Sequence, residues 1–165
     1  MEDTEKETKE SVSSITGKIK SKRILVADDN EAIRKLVSRF LEFLGFEVVL
    51  ACNGIEALAV FLESPFDLVL TDFEMPTMDG LSLAGHIKEN SPGTPVILLT
   101  GSNRATVQKK VERRPIDSVI FKPFILEDLQ SAVQETLALR EHEPGSVGGV
   151  GRFWHLSDAV VLPRT

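Results

Sequence analysis

A single cysteine, Cys52, in 165 residues rules out any disulfide within the chain. Histidines are scarce as well: His86, His142 and His155 are far apart, so nitrogen and sulfur ligands for a zinc-type cluster are lacking and any metal must be held by oxygen. No apolar run approaches membrane-spanning length and no secretory segment is visible, which makes no membrane contact and cytoplasmic residence the expectation. A basic excess is missing too. The net charge is -6, which argues against direct binding of nucleic acid.

What is present has the composition of a soluble globular protein, 42% hydrophobic and 27% charged, at a length suited to one domain with tails. Residues 1–22 carry five acids and five bases, residues 140–165 three of each, so both ends are neutral and the negative excess lies between them. Residues 1–21, rich in Lys, Glu, Ser and Thr, read as a flexible N-terminal tail. Residues 22–140 read as the folded domain. Residues 141–165 read as a Gly-rich linker and a C-terminal tail with no output domain, although Arg152-Phe153-Trp154-His155-Leu156 has the apolar character to dock on a surface.

Within the domain one pattern repeats five times: a short continuous apolar run followed by a stretch of helical period. Strands are predicted at Arg23–Ala27, Phe46–Ala51, Asp67–Thr71, Val96–Leu99 and Ser118–Phe121. Helices are predicted after them: one built on Ile33, Leu36, Val37, Phe40, Leu41 and Leu44, then Ile55–Leu62, Leu81–Lys88, Ala105–Arg113 and Leu126–Leu139. Asp29 or Asn30 caps the first helix and Gly45 closes it. Five such units predict an α/β fold with a parallel sheet and helices on both faces. In such sheets ligands bind beyond the carboxyl ends of the strands. Those ends carry Asp28 and Asp29, Asp72, Thr100 and Lys122.

Taken singly, each of these has an ordinary explanation. An Asp-Asp pair before a helix is a cap, a lone lysine is a surface residue, and Lys-Pro stops a strand. Taken together at one sheet edge they form a site. Three carboxylates gathered at neutral pH repel one another or take up protons unless a cation holds them ionised, and Mg²⁺ suits such a set because it prefers hard oxygen ligands.

In order and spacing, four motifs make this chain resemble the receiver domain of bacterial two-component response regulators, stand-alone and chemotaxis-regulator-like. They are Asp28-Asp29, Asp72-Phe73-Glu74-Met75-Pro76-Thr77-Met78-Asp79-Gly80, Thr100-Gly101 and Lys122-Pro123-Phe124. The resemblance covers roughly residues 22–140 and implies a flavodoxin-like (βα)5 doubly wound fold, its five-stranded parallel sheet ordered 2-1-3-4-5. It implies that Asp72 takes a phosphoryl group from a sensor histidine kinase and becomes an aspartyl phosphate. Mg²⁺ would be the cofactor, bound by Asp29 and Asp72 directly, by Asp28 largely through a metal-bound water, and by the backbone carbonyl of Glu74. Lys122 would neutralise the transferred oxygens, the Thr100 hydroxyl would bond to one of them and report the change by moving, and the Lys122-Pro123 bond would be cis. The protein would be a phosphoacceptor rather than an enzyme.

The chain departs from the family where many receivers carry an aromatic residue three positions before the lysine. That position is Val119 here, so Phe121, on the same side of an extended strand, either substitutes or packs as an ordinary strand residue. Glu74 and Ser102 occupy positions that influence hydrolysis of the aspartyl phosphate in this family. Five bases, Arg104, Lys109, Lys110, Arg113 and Arg114, against the single acid Glu112 make the fourth helix a candidate surface for an acidic partner or for a homodimer, or else a solvated face. Further partners implied are a downstream protein or a histidine phosphotransfer protein. Two other functions fit less of the sequence: a phosphorylation-independent interaction module with this fold, and an aspartate-nucleophile phosphatase of the haloacid dehalogenase type, for which Glu74 has the second-acid spacing but the companion Thr is absent.

Overall fold

The computed structural model describes residues 21–112, 116–142 and 152–154. Eleven elements follow one another among them: β1 (Arg23–Ala27), α1 (Glu31–Phe43), β2 (Glu47–Ala51), α2 (Gly54–Glu63), β3 (Leu68–Asp72), α3 (Gly80–Asn90), β4 (Val96–Thr100), α4 (Arg104–Val111), β5 (Ser118–Phe121), α5 (Leu126–His142) and β6 (Arg152–Trp154). The first ten are the five predicted strand and helix pairs. All strand pairings are parallel, and the order is β2-β1-β3-β4-β5-β6. The expected 2-1-3-4-5 arrangement is therefore present, in the flavodoxin-like manner.

Local chemistry sets where the helices start. Asn30, Asn53, Asp79 and Asn103 each place a side-chain oxygen on a free amide of the first turn, bonding Ala32 and Ile33, Glu56, Ser82 and Thr106. Glu56 also accepts from the amide of Cys52, the residue before the cap, at 2.6 Å. After α1 the chain reverses at Gly45, whose φ of 94° lies where only glycine is comfortable.

Strand alternation splits the apolar residues between two cores. Leu25, Val69, Leu98, Val119 and Phe121 point to one face, where Ala57 and Phe61 of α2, Leu83 and Ile87 of α3 and Val107 of α4 cover them. Ile24, Val26, Leu70, Ile97, Leu99 and Ile120 point to the other, beneath Val37 and Leu41 of α1 and Leu129 and Val133 of α5. With β3 and β4 buried along their whole length, truncating a side chain such as Leu98 to Ala should cost about 2–5 kcal/mol. This two-sided burial holds the carboxyl ends of the strands rigidly at one edge.

Several boundaries shift by a residue or two. The shift that bears on chemistry is at β3, which runs to Asp72 rather than stopping at Thr71. A larger difference lies at the C-terminal segment, expected as a tail: Arg152–Trp154 pairs with β5 in the register Ser118↔Arg152, Val119↔Phe153, Ile120↔Trp154. The sheet thus gains a strand beyond the five expected. The segment 1–20, Arg113, Arg114 and the Gly-rich stretch before residue 152 fall outside the described residues.

Candidate functional site

The ends of β1, β3, β4 and β5 bring polar side chains to the same edge. Asp28 follows β1 directly, its amide held by the carbonyl of Ala51 at 3.2 Å and its side chain 1% exposed. One carboxylate oxygen accepts the Asn30 amide at 2.8 Å, while Arg34 donates to the Asp28 backbone carbonyl at 2.6 Å. Asp29 is exposed beside it. Asp72, the last residue of β3, is paired in register with Leu99 and is 6% exposed. Oxygens of Asp28, Asp29 and Asp72 all lie within 4.8 Å of one another.

Lys122 enters from the end of β5. Its amide bonds the carbonyl of Thr100 at 2.7 Å, and the Lys122-Pro123 bond is cis, as expected. The ammonium then lies between two acids, 2.8 Å from Asp72 Oδ1 and 3.1 Å from Asp28 Oδ2.

Burial pushes the Asp72 carboxyl above the ordinary aspartate value; Lys122 pulls it back, and the negative charges of Asp28 and Asp29 push it up again. For Lys122, burial acts to lower the ammonium's value, but the bond to Asp72 and the charges of Asp28 and Asp72 outweigh it, and the net shift is upward. One cation faces three carboxylates. The set offers only hard oxygen and an unbalanced negative charge, so it fits a divalent ion such as Mg²⁺.

The loop from Phe73 to Asp79 is folded back tightly against β3. The Gly80 amide bonds the carbonyl of Phe73 at 2.9 Å, and a Cβ on Gly80 would overlap the carbonyl oxygen of Asp72. Glycine there is a packing requirement. Thr77 adopts a φ of 67° in the same loop.

Thr100 and Glu74 are placed differently from the acids and the lysine. Thr100 is fully buried at the end of β4, and its hydroxyl oxygen accepts from the Ser102 amide at 3.0 Å. The Glu74 side chain accepts from the Ser102 hydroxyl at 2.6 Å, tying the loop after β3 to the loop after β4. Sequence patterns did not reveal this tie, nor the bond from Arg34 to Asp28, since both join residues that become neighbours only through loop geometry. Of the other acids, Asp117 accepts both Lys88 Nζ at 2.8 Å and the Val96 amide at 2.7 Å, and Asp67 accepts the Arg23 amide at 2.7 Å. They fasten strand starts, away from the site.

Comparison with known proteins agrees with this geometry. The family model of the response regulator receiver domain matches residues 24–134. The chain is 34% identical over 116 residues to the response regulator receiver protein CpdR of Brucella abortus, covering 70% of this chain and 97% of that one. It is 35% identical over 118 residues to the regulatory protein AtoC of Escherichia coli, covering 72% of this chain but only 26% of AtoC. The chain thus spans nearly all of one relative and about a quarter of the other. Among solved structures, the response regulator TrrA of Thermotoga maritima in complex with Mg(2+)-BeF superposes with a TM-score of 0.62 at 36% identity, covering 70% of this chain and 98% of that one. With the strand order, the acidic cluster, the lysine after its strand and the matched family model in agreement, this chain belongs to the response regulator receiver domain family.

Proposed function

We propose that the chain accepts a phosphoryl group on Asp72 from the phosphohistidine of a sensor histidine kinase, and passes the signal on through protein contacts. The observation that carries this is the placement of the Asp72 carboxyl, nearly buried, 2.8 Å from the Lys122 ammonium and beside two further carboxylates. In the transfer a carboxylate oxygen of Asp72 forms a bond to phosphorus as the bond to the histidine nitrogen breaks, its electron pair leaving with the imidazole. Lys122 stands where it neutralises the oxygens of the incoming group, and the low exposure of Asp72 limits competing water. Thr100 supplies a hydroxyl at the end of the neighbouring strand for one of those oxygens.

Asp28, Asp29 and Asp72, with the backbone carbonyl of Glu74, would hold Mg²⁺, which when bound keeps the carboxylates ionised and offsets charge on the transferred group. The protein acts as a phosphoacceptor, not as an enzyme on a separate substrate. Its partners would be the kinase, a downstream protein or a histidine phosphotransfer protein, and a second copy through α4. A cytoplasmic kinase domain implies the same compartment, and no helix among the described residues is long and apolar enough to cross a membrane.

Incubation with acetyl phosphate and Mg²⁺ tests the reading. Label should appear on the wild-type protein and be abolished in Asp72→Asn; a protein that takes no label, or a variant that labels normally, would sink it.

A further inference from the structure

The polar groups of Asp28 are all bonded. Its amide donates to the Ala51 carbonyl, its two carboxylate oxygens accept from the Asn30 amide and the Lys122 ammonium, and its own carbonyl accepts from Arg34 Nη1 at 2.6 Å. Asp29, the next residue, has no such support for its side chain: the carboxylate is exposed and takes no hydrogen bond or ion pair among the described residues. Its direction therefore comes from the backbone. Because the peptide unit is planar, whatever fixes the Asp28 carbonyl also fixes the amide and Cα of Asp29. Arg34 is the group that fixes it.

A guanidinium bonds a carboxylate more strongly than a neutral carbonyl, so this choice of partner needs a reason. Glu31, one turn earlier on α1, is taken by Lys35 at 2.5 Å. Glu56 is held below the ordinary glutamate value first by its bonds with Cys52, and the Arg34 charge adds to this only through space. Arg34 itself is half-buried and forms no ion pair among the described residues. Its amide meanwhile bonds the Asn30 carbonyl at 3.0 Å, so the turn from β1 into α1 is closed by both the backbone and the side chain of this one residue.

We propose that Arg34 is a positioning residue for the divalent ion: by holding the Asp28 carbonyl it sets the peptide plane that aims the unsupported Asp29 carboxylate at the cluster with Asp28 and Asp72. The inference rests on the reading of that cluster as a metal site; the hold on the turn does not. Two effects of the side chain have opposite signs. As a cation near three carboxylates, Arg34 opposes a second cation, so losing its charge would tighten Mg²⁺ binding. As a clamp, its loss frees Asp29 and weakens binding. Solvent and salt screen the first effect and leave the second, so positioning decides. The loss should also be selective, because Mg²⁺ demands near-octahedral geometry whereas Ca²⁺ accepts a looser set of oxygens.

Calorimetric titration of Mg²⁺ and of Ca²⁺ into the unmodified whole chain at 0.15 M salt (about the physiological level), beside ¹⁵N relaxation of the metal-free protein, tests this. Wild type is compared with Arg34→Met, which removes donors and charge, and with Arg34→Lys, which keeps the charge and a donor. Arg34→Met should bind Mg²⁺ about tenfold more weakly and Ca²⁺ less than about threefold more weakly. The order parameter of the Asp29 amide should fall from about 0.85 to below about 0.7 in the same variant. Arg34→Lys should recover most of the Mg²⁺ affinity. Unchanged or tighter Mg²⁺ binding by Arg34→Met, or an equal loss for both ions, would overturn the positioning role. Should wild type bind neither ion, the metal reading of the acidic edge fails and the aiming of Asp29 at an ion fails with it, while an unchanged Asp29 order parameter in Arg34→Met would overturn the hold on the turn as well.

Discussion

Lys122 is shared by two carboxylates, and its removal would leave Asp28 and Asp72 without the cation that both face. Lys122→Met should therefore lower the stability of the metal-free protein by about 1–3 kcal/mol, since uncompensated buried acceptors remain. Urea unfolding would measure it, and an unchanged midpoint would argue that the pair contributes little. Asp72 gives a pH dependence of definite sign. Burial first, then its two acidic neighbours, raise its value in the fold despite Lys122, so the ionised form costs the fold stability above that value. Metal-free wild type should gain stability as pH falls from neutral through the raised value, and Asp72→Asn should flatten that gain. Asp28, Asp29, Asp72 and Lys122 were legible in the sequence because each ends a continuous apolar run, which fixes both its strand and its edge. The Glu74 to Ser102 bond was not, because no local pattern reports which loops lean together.

At the scale of elements, capping residues and strand runs made ten of the described elements readable, while their ends depended on pairing. β3 extends to Asp72 because its register with β4 reaches Leu99, which sequence composition does not encode. β6 was illegible for a different reason: three residues after a Gly-rich stretch carry no period, and only the edge of β5 gives them a partner. Ending the chain at His142 should speed hydrogen exchange at alternate amides of β5 while changing global stability by about 1 kcal/mol or less, because a few hydrogen bonds barely offset the ordering of the segment. Unchanged exchange would mean that β6 does not protect that edge. Gly80→Ala probes the loop that follows the inner strand β3. Its Cβ would overlap the Asp72 carbonyl and come within 3.0 Å of Leu98 Cδ1, so the loop after β3 must move, at a cost of about 1–3 kcal/mol and with slower labelling of Asp72.

For the whole molecule, parallel strands buried on both faces bring residues from four chain-distant strand ends to one edge with little freedom to rearrange, which suits a reaction that asks mainly for positioning and charge. The excess acid of that edge makes the fold receptive to a divalent ion: Mg²⁺ at about 100 times its dissociation constant should add about 2.7 kcal/mol of stability. Asp29→Asn should lose most of that increment. The charge distribution also sets this acidic edge against helix α4, which carries three bases and no acid. The central claim, that this edge takes a phosphoryl group on Asp72, is tested most directly by mass spectrometry of protein incubated with acetyl phosphate and Mg²⁺, with the modified residue located in the peptide spanning β3. One phosphoryl group per chain on Asp72, absent when Mg²⁺ is chelated, is the result expected; an unmodified chain, or a phosphoryl group located elsewhere, would contradict it.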